Sequence, residues 1–169
     1  ELQFTKDWDE NRWRVYLRRY LSLAEEVDRE IGQILDALRR QGLEEDTLIL
    51  FTSDHGEGMA AHHWVVKLML WEEVAGVPMV VRWKGVTAAG VNALHPVSGI
   101  DVLPTLCDYA GIKGLPDMTG MSMKPYVENV SSCGRTYVVT ELYPDPKKPE
   151  MTARMVRTRR FKYIAFSTG

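Results

Sequence analysis

The sequence predicts an α/β fold, with a mostly parallel sheet within residues 1–133 and the start of a small antiparallel sheet in 134–169. Three observations lead there. A long stretch repeats its apolar residues with the helical period. A short apolar run lacks the alternation of a half-exposed strand. The tail carries closely spaced runs rich in β-formers.

Residues 1–10 mix aromatic and charged side chains without a period and read as a connecting segment. From about Arg12 to Gln41, Leu17, Tyr20, Leu21, Ala24, Val27, Ile31, Ile34, Leu35 and Leu38 recur at spacings of three and four. Arg18, Arg19, Glu25, Glu26, Arg29 and Arg39 take the opposite face, so a long amphipathic helix is predicted that packs by one stripe. Gly42 suits a left-handed cap at its end. Gly32 weakens the helix slightly and leaves room for a close crossing.

Thr47-Leu48-Ile49-Leu50-Phe51-Thr52 is apolar without alternation, as in a strand covered on both faces. It runs directly into Ser53-Asp54-His55-Gly56-Glu57, a polar cluster at the strand's C-terminal end, where α/β proteins build their sites. Leu68–Trp71 reads as a short helix. Val77–Trp83 is a second strand, with Pro78 tolerated at its start, and Gly85–Val91 is a turn-rich loop.

Ser98 and Asp101 have capping-box-like spacing, so a second helix is predicted from Ser98. Ile100, Leu103, Leu106, Cys107 and Ala110 form its apolar face, and Gly111 ends it. Pro104 falls in the first turns, where it need not break the helix. Lys113–Met123 reads as loop. Thr136–Thr140 is a strand, and the prolines between Tyr143 and Pro149 demand a loop. Ala153–Thr158 and Phe161–Phe166, around Arg159-Arg160, read as a β-hairpin.

A chain of 169 residues that is 45% apolar and 26% charged can bury a core as one domain, or as one domain with an appendage. A net charge of −2 gives no electrostatic basis for binding nucleic acid or an anionic membrane. No apolar run approaches the length of a membrane span. No secretory signal is visible, and the chain starts at Glu1 without an initiator Met; the expectation is a fragment or a processed chain. Cys107 sits in a helical apolar pattern as a buried structural thiol, and Cys133 lies in a loop. Neither has zinc-ligand or Cys-x-x-Cys spacing, and nothing in the sequence supports a disulfide between them.

The chemistry gathers in residues 53–67. An aspartate at a strand end presents its carboxylate into a crevice, which suits a hard divalent cation; Asp54 has that place. His55 can add a nitrogen ligand or bind an anionic substrate. The bland alternative is a solvated strand-to-loop turn. Lys67 is a fixed cation, and His62 and His63 carry imidazoles that donate hydrogen bonds; together they suit a tetrahedral oxyanion. His63 taken alone reads as an ordinary histidine. Glu72 and Glu73 read as caps or structural pairs, Trp64 and Trp71 as packing residues, and His95 as a loop histidine. Arg157, Arg159 and Arg160 read as a solvated hairpin face, with a substrate pocket as the alternative.

At this point the sequence resembles the type I sulfatase family of the alkaline-phosphatase-like superfamily. Val27–Leu38 is similar to the long helix before that family's metal site, and Thr52–Glu57 to its Ser-Asp-His/Asn-Gly motif. His62 and Lys67 follow Asp54 by eight and thirteen residues, the family spacing for the residues that contact sulfate. Trp71-Glu72-Glu73 resembles its Tyr-Glu-Glu, and Val77–Trp83 its next strand. Ile100–Leu106 is similar to its Asp-Leu-x-Pro-Thr-Leu helix, and Arg154–Tyr163 to a hairpin of its C-terminal sheet. The resemblance runs through most of residues 15–166, and the shared order of the motifs carries it.

That resemblance implies hydrolysis of sulfate esters by the parent protein, on a sulfated small molecule or glycan. It implies a divalent cation, Ca2+ first and Mg2+ as the alternative, held by Asp54 and His55. It implies Lys67 on the sulfate oxygens and His62 either on sulfate or protonating the leaving oxygen, with His63 as the other candidate. It also implies a periplasmic, secreted or lysosomal location, which the sequence itself leaves unknown. The family's Cys/Ser-x-Pro-x-Arg motif, which matures to formylglycine, does not occur in these residues, nor does its paired Asp-Asp. Both are expected upstream, in a missing N-terminal half. The isolated chain is therefore expected to be inactive, to bind metal weakly and to self-associate through apolar surface. Two other readings stand beside this one: a phosphoryl or phosphonate ester hydrolase or transferase of the same superfamily, and a non-catalytic binding module.

Overall fold

A computed structural model describes residues 5–113, 117–128, 134–145, 147–148 and 152–167. The chain divides into two compact units, one ending at Met79 and the other beginning at Val80. Cys133 and the expected boundary beside it fall at residues outside the described set.

The first unit opens with helix α1 (Glu10–Arg40). Its start is local: the Asp9 carboxylate accepts from the Arg12 amide at 2.8 Å, satisfying a donor the helix leaves free. Its end carries Arg39 and Arg40 in the last turn, where the helix dipole favours cations, and Gly42 follows at φ +69°. The periodic stripe has the predicted period but little cover. No residue of α1 is buried, every residue from 21 to 30 is exposed, and Ile34 is 68% exposed. Packing by one stripe is thus not supplied by the described residues.

Strand β1 (Ile49–Thr52) follows a short 3-10 turn at Glu44–Asp46. The apolar run implied cover on both faces; instead Phe51 is exposed and its neighbours are half-buried. Another difference lies just beyond. Leu68–Trp71 is not helical, and helix α2 spans Glu72–Ala75, with Trp71 extended at its N-cap. Glu72 and Glu73 occupy its first turn, where free amides favour carboxylates, and Val74 is buried. The small core of this unit holds Val65, Leu70 and Val74. Strand β2 (Met79–Arg82) comes next, with alternating exposure.

In the second unit the capping box forms as predicted: the Ser98 amide donates to Asp101 Oδ2 at 2.8 Å. Helix α3 (Val102–Tyr109) follows, and Gly111 at φ +66° ends it. Its expected apolar face is uncovered, with Ile100, Leu103 and Leu106 exposed and Cys107 half-buried and free. Polar residues are buried instead. Thr105 Oγ1 donates to the Asp101 carbonyl at 2.6 Å and accepts from the Met123 amide at 2.8 Å. Asp101 Oδ1 accepts from the Met121 amide and from Arg135, each at 2.8 Å. These bonds draw the 120–124 segment onto α3, so their groups are satisfied away from water. Helix α4 (Lys124–Val127), unforeseen in the sequence, grows from that segment.

Strands β3 (Tyr137–Leu142), β4 (Ala153–Thr158) and β5 (Lys162–Phe166) form an antiparallel sheet in the order β3-β4-β5. Met155 pairs with Thr140 on one side and Ile164 on the other. Ala153 and Met155 are buried, while Arg154 and Val156 point outward. The hairpin turn holds exposed Arg159 and Arg160, whereas Arg157 is half-buried and donates to the Thr158 carbonyl at 2.7 Å. The solvated face therefore does not include Arg157. No described helix is long and apolar enough to cross a membrane.

Candidate active site

The site is built where β1 ends. Ser53 Oγ donates to the His55 carbonyl at 2.7 Å, and the His55 amide donates to Asp54 Oδ1 at 3.0 Å, so the turn is closed by its own polar residues. The Gly56 and Glu57 amides then donate to the carbonyls of Val74 and Glu73, at 2.7 and 3.1 Å. Only glycine fits at 56: a Cβ there would lie 2.0 Å from the Glu73 carbonyl oxygen.

His55 Nδ1 lies 2.8 Å from the Gly56 carbonyl, which can only accept, so Nδ1 carries the proton. Nε2 is left with its lone pair, and Lys67 Nζ donates to it at 2.9 Å. Asp54 Oδ2 is 3.3 Å from the same nitrogen. The His55 amide bonded to the Asp54 carboxylate holds that carboxyl below its ordinary range, so it is ionised at neutral pH. Asp54, His55 and Lys67 thus come together as a carboxylate, an imidazole nitrogen and an ammonium, the first of them largely exposed.

His62 and His63 go elsewhere. The His62 ring lies 4.4 Å from that of Trp71, and its Nε2 is 4.0 Å from Glu73 Oε2. His63 faces Trp13, with ring centroids 5.9 Å apart, and its carbonyl accepts from Thr5 Oγ1 at 3.4 Å. The two adjacent histidines therefore have different neighbours. Trp71 also packs edge-on against Trp64. His95 belongs to the second unit, stacked on Tyr126 at 5.3 Å.

The segment carrying these residues is bent out of ordinary conformations. Met59, Ala60, His62, His63 and Val66 all have positive φ, which costs each of them backbone energy and persists only where neighbours enforce it. One enforcing contact was not visible in the sequence. Glu57 Oε1 accepts from Tyr16 Oη of α1 at 2.6 Å and from the Val66 amide. Burial, and the carboxylate it donates to, push the Tyr16 phenol far above its ordinary value, so it remains a donor. Glu57 closes the Thr52–Glu57 motif, but Tyr16 lies 41 residues away and nothing local links them.

Asp54 and His55 offer an oxygen and a nitrogen donor side by side, a fitting partial set for a divalent cation. Among the described residues, no group of three or more His, Cys, Asp or Glu is placed to hold a metal.

Comparison with known proteins bears on this arrangement. The family model described as Sulfatase matches residues 2–112, and that of the N-sulphoglucosamine sulphohydrolase C-terminal region matches 60–169. A Delta 4,5-hexuronate-2-O-sulfatase of Bacteroides thetaiotaomicron is 30% identical over 96% of this chain and 34% of its own length. An N-acetylglucosamine-6-O-sulfatase of the same organism is 30% identical over 92% of this chain and 28% of its own length. The solved structure of the phosphonate monoester hydrolase of Agrobacterium radiobacter superposes with a TM-score of 0.86 and 30% identity, covering 95% of this chain and 35% of the other. The chain thus spans about a third of the length of the proteins it matches.

Proposed function

The chain belongs to the sulfatase family, and we propose on that premise that the protein it comes from hydrolyses a sulfate ester carried by a sugar. The observation that carries this reading is Lys67 Nζ at 2.9 Å from His55 Nε2, with Asp54 Oδ2 beside them, in a chain matched by the sulfatase model across all three residues. The sugar enters from the relatives, whose names specify sulfate on a hexuronate and on N-acetylglucosamine.

In this mechanism Lys67 binds the sulfate oxygens and offsets the negative charge that grows on them as the sulfur–oxygen bond breaks. Asp54 and His55 would hold a divalent cation, Ca2+ before Mg2+, the carboxylate and the imidazole being the donors available to it. When bound, that cation supplies Lewis-acid stabilisation of the same charge. His55 Nε2 has a single lone pair, which Lys67 takes in this structure. His62 donates to the sulfate or gives its proton to the leaving sugar oxygen, and the tilted Trp71 ring 4.4 Å away limits how that imidazole turns. His63, turned toward Trp13, is the second choice for that role. The nucleophile, a formylglycine by family resemblance, comes from none of these 169 residues, so the chain alone should not turn over substrate.

The full-length protein, assayed against sulfated monosaccharides and against phosphate and phosphonate monoesters, tests the proposal. Sulfate release from a sulfated sugar is the expected result. A specific observation favours one second reading, phosphonate monoester hydrolysis: the superposition on such an enzyme at a TM-score of 0.86. Preference for a phosphonate ester would move the assignment there. A folded protein that releases neither anion would leave a non-catalytic binding module.

A further inference from the structure

The sulfatase reading gives Lys67 a role and does not explain what keeps it in place. Lys67 is exposed, its side chain is long and flexible, and it follows a residue in an unfavourable conformation. Val66 has φ +66°, a region that a β-branched residue enters only under constraint. The constraint comes from both sides of Val66. Its amide donates to Glu57 Oε1, and its carbonyl accepts from the Gly58 amide at 3.1 Å. Glu57 and Gly58 come directly after Asp54-His55-Gly56, so the backbone before Lys67 is clamped to the turn that carries its partner. The same Glu57 oxygen accepts from Tyr16 Oη at 2.6 Å, which fixes the carboxylate against α1. Its backbone amide is committed to the Glu73 carbonyl.

We infer that Glu57 is a positioning residue, a latch joining Tyr16, Glu57 and Val66 that holds Lys67 beside His55. The inference rests on the sulfatase reading for the role of Lys67 and adds what aims it. Glu57 acts as a hydrogen-bond acceptor through one oxygen, and it takes no proton from substrate. Glutamine keeps an acceptor oxygen at that place, and alanine does not.

The test is a double-mutant cycle in the full-length protein, read as kcat and KM on the ester it turns over fastest. Glu57→Ala is expected to lower kcat by about 10- to 100-fold with KM nearly unchanged, the scale of loss for a misaimed catalytic group. Glu57→Gln should recover most of that rate. In a Lys67→Ala background, Glu57→Ala should cost less than about two-fold, because the latch then has nothing to aim. Equal losses in both backgrounds would overturn the inference, as would Gln being as damaging as Ala. Hydrogen exchange over peptides spanning residues 59–69 gives a readout without turnover: faster exchange in Glu57→Ala, with Glu57→Gln near wild type, supports the latch. Unchanged exchange in Glu57→Ala overturns it. Should Glu57→Ala not fold, the Gln variant alone decides by keeping or losing activity and protection. A wild-type protein that prefers phosphonate esters would sink the sulfatase reading and still leave the cycle and the exchange able to judge the latch.

Discussion

Lys67 donates a 2.9 Å hydrogen bond to His55 Nε2 across twelve residues of chain, and that nitrogen is free to accept because Nδ1 is committed to the Gly56 carbonyl. Lys67→Ala in the full-length protein is therefore expected to lower kcat by about 10²- to 10³-fold, the loss typical when one preorganised charge stabiliser is removed. Its circular dichroism should not change, since Lys67 is exposed. Lys67→Arg should recover only part of the rate, because a planar fork does not replace a compact ammonium. A loss under about three-fold for Lys67→Ala would remove this side chain from the reaction.

Sharing of the His55 lone pair leads to a prediction about metal. Chelator should abolish turnover by the full-length protein, and Asp54→Asn should weaken Ca2+ binding by removing the anionic oxygen beside Nε2. Lys67→Ala should tighten Ca2+ binding by about five-fold, since a cation and an ammonium repel each other at that nitrogen. Isothermal titration with CaCl2 measures all three proteins. Equal affinity in wild type and Lys67→Ala would mean that cation and ammonium do not compete there.

Two glycines should behave oppositely in the 169-residue chain. A Cβ at Gly56 meets backbone of Glu73 and Val74, which no side-chain rotation can relieve, so Gly56→Ala should destabilise by about 2–3 kcal/mol. At Gly32, inside α1, nothing lies within 4 Å, so Gly32→Ala should stabilise by about 0.5–1 kcal/mol through helix propensity alone. Urea unfolding of the two variants checks the opposite signs.

Asp101 is the stability hinge of the second unit. It is 2% exposed and pairs with Arg135 at 2.8 Å while capping α3 and holding the Met121 amide. Asp101→Ala should cost about 3–5 kcal/mol, because it strands a half-buried guanidinium and two amides. Thr105→Val, which keeps shape and removes the hydroxyl shared by Asp101 and Met123, should cost about 1–3 kcal/mol. Thermal unfolding followed by far-ultraviolet circular dichroism should rank them in that order, and the reverse order would shift the main support onto Thr105.

Much of the chain was legible because its signals are local. The span of α1 follows from a sustained period closed by Gly42, and the β4–β5 hairpin from two β-rich runs around a polar turn. The capping box ahead of α3 is likewise written in four residues. Legibility stopped where packing decides. Leu103 and Leu106 of α3 are exposed, and Asp101 and Thr105, which a hydropathy pattern would place outside, are buried. Leu68–Trp71 had the composition of a helix, but the backbone from Val66 runs extended or bent until Trp71 caps α2.

By itself the sequence determined α1, α3, the strands, the order of the motifs and the residue types available to the site, because each is encoded within a few neighbouring positions. Only the tertiary structure decided how those residues are used. It set Lys67 rather than His62 against His55, turned His62 to Trp71 and His63 to Trp13, and joined Tyr16 to Glu57 across 41 residues. The physical reason lies in the backbone between them. Residues 59–66 repeatedly adopt positive φ, a state disfavoured for these side chains in isolation, and contacts from α1 and the β1 exit hold them there.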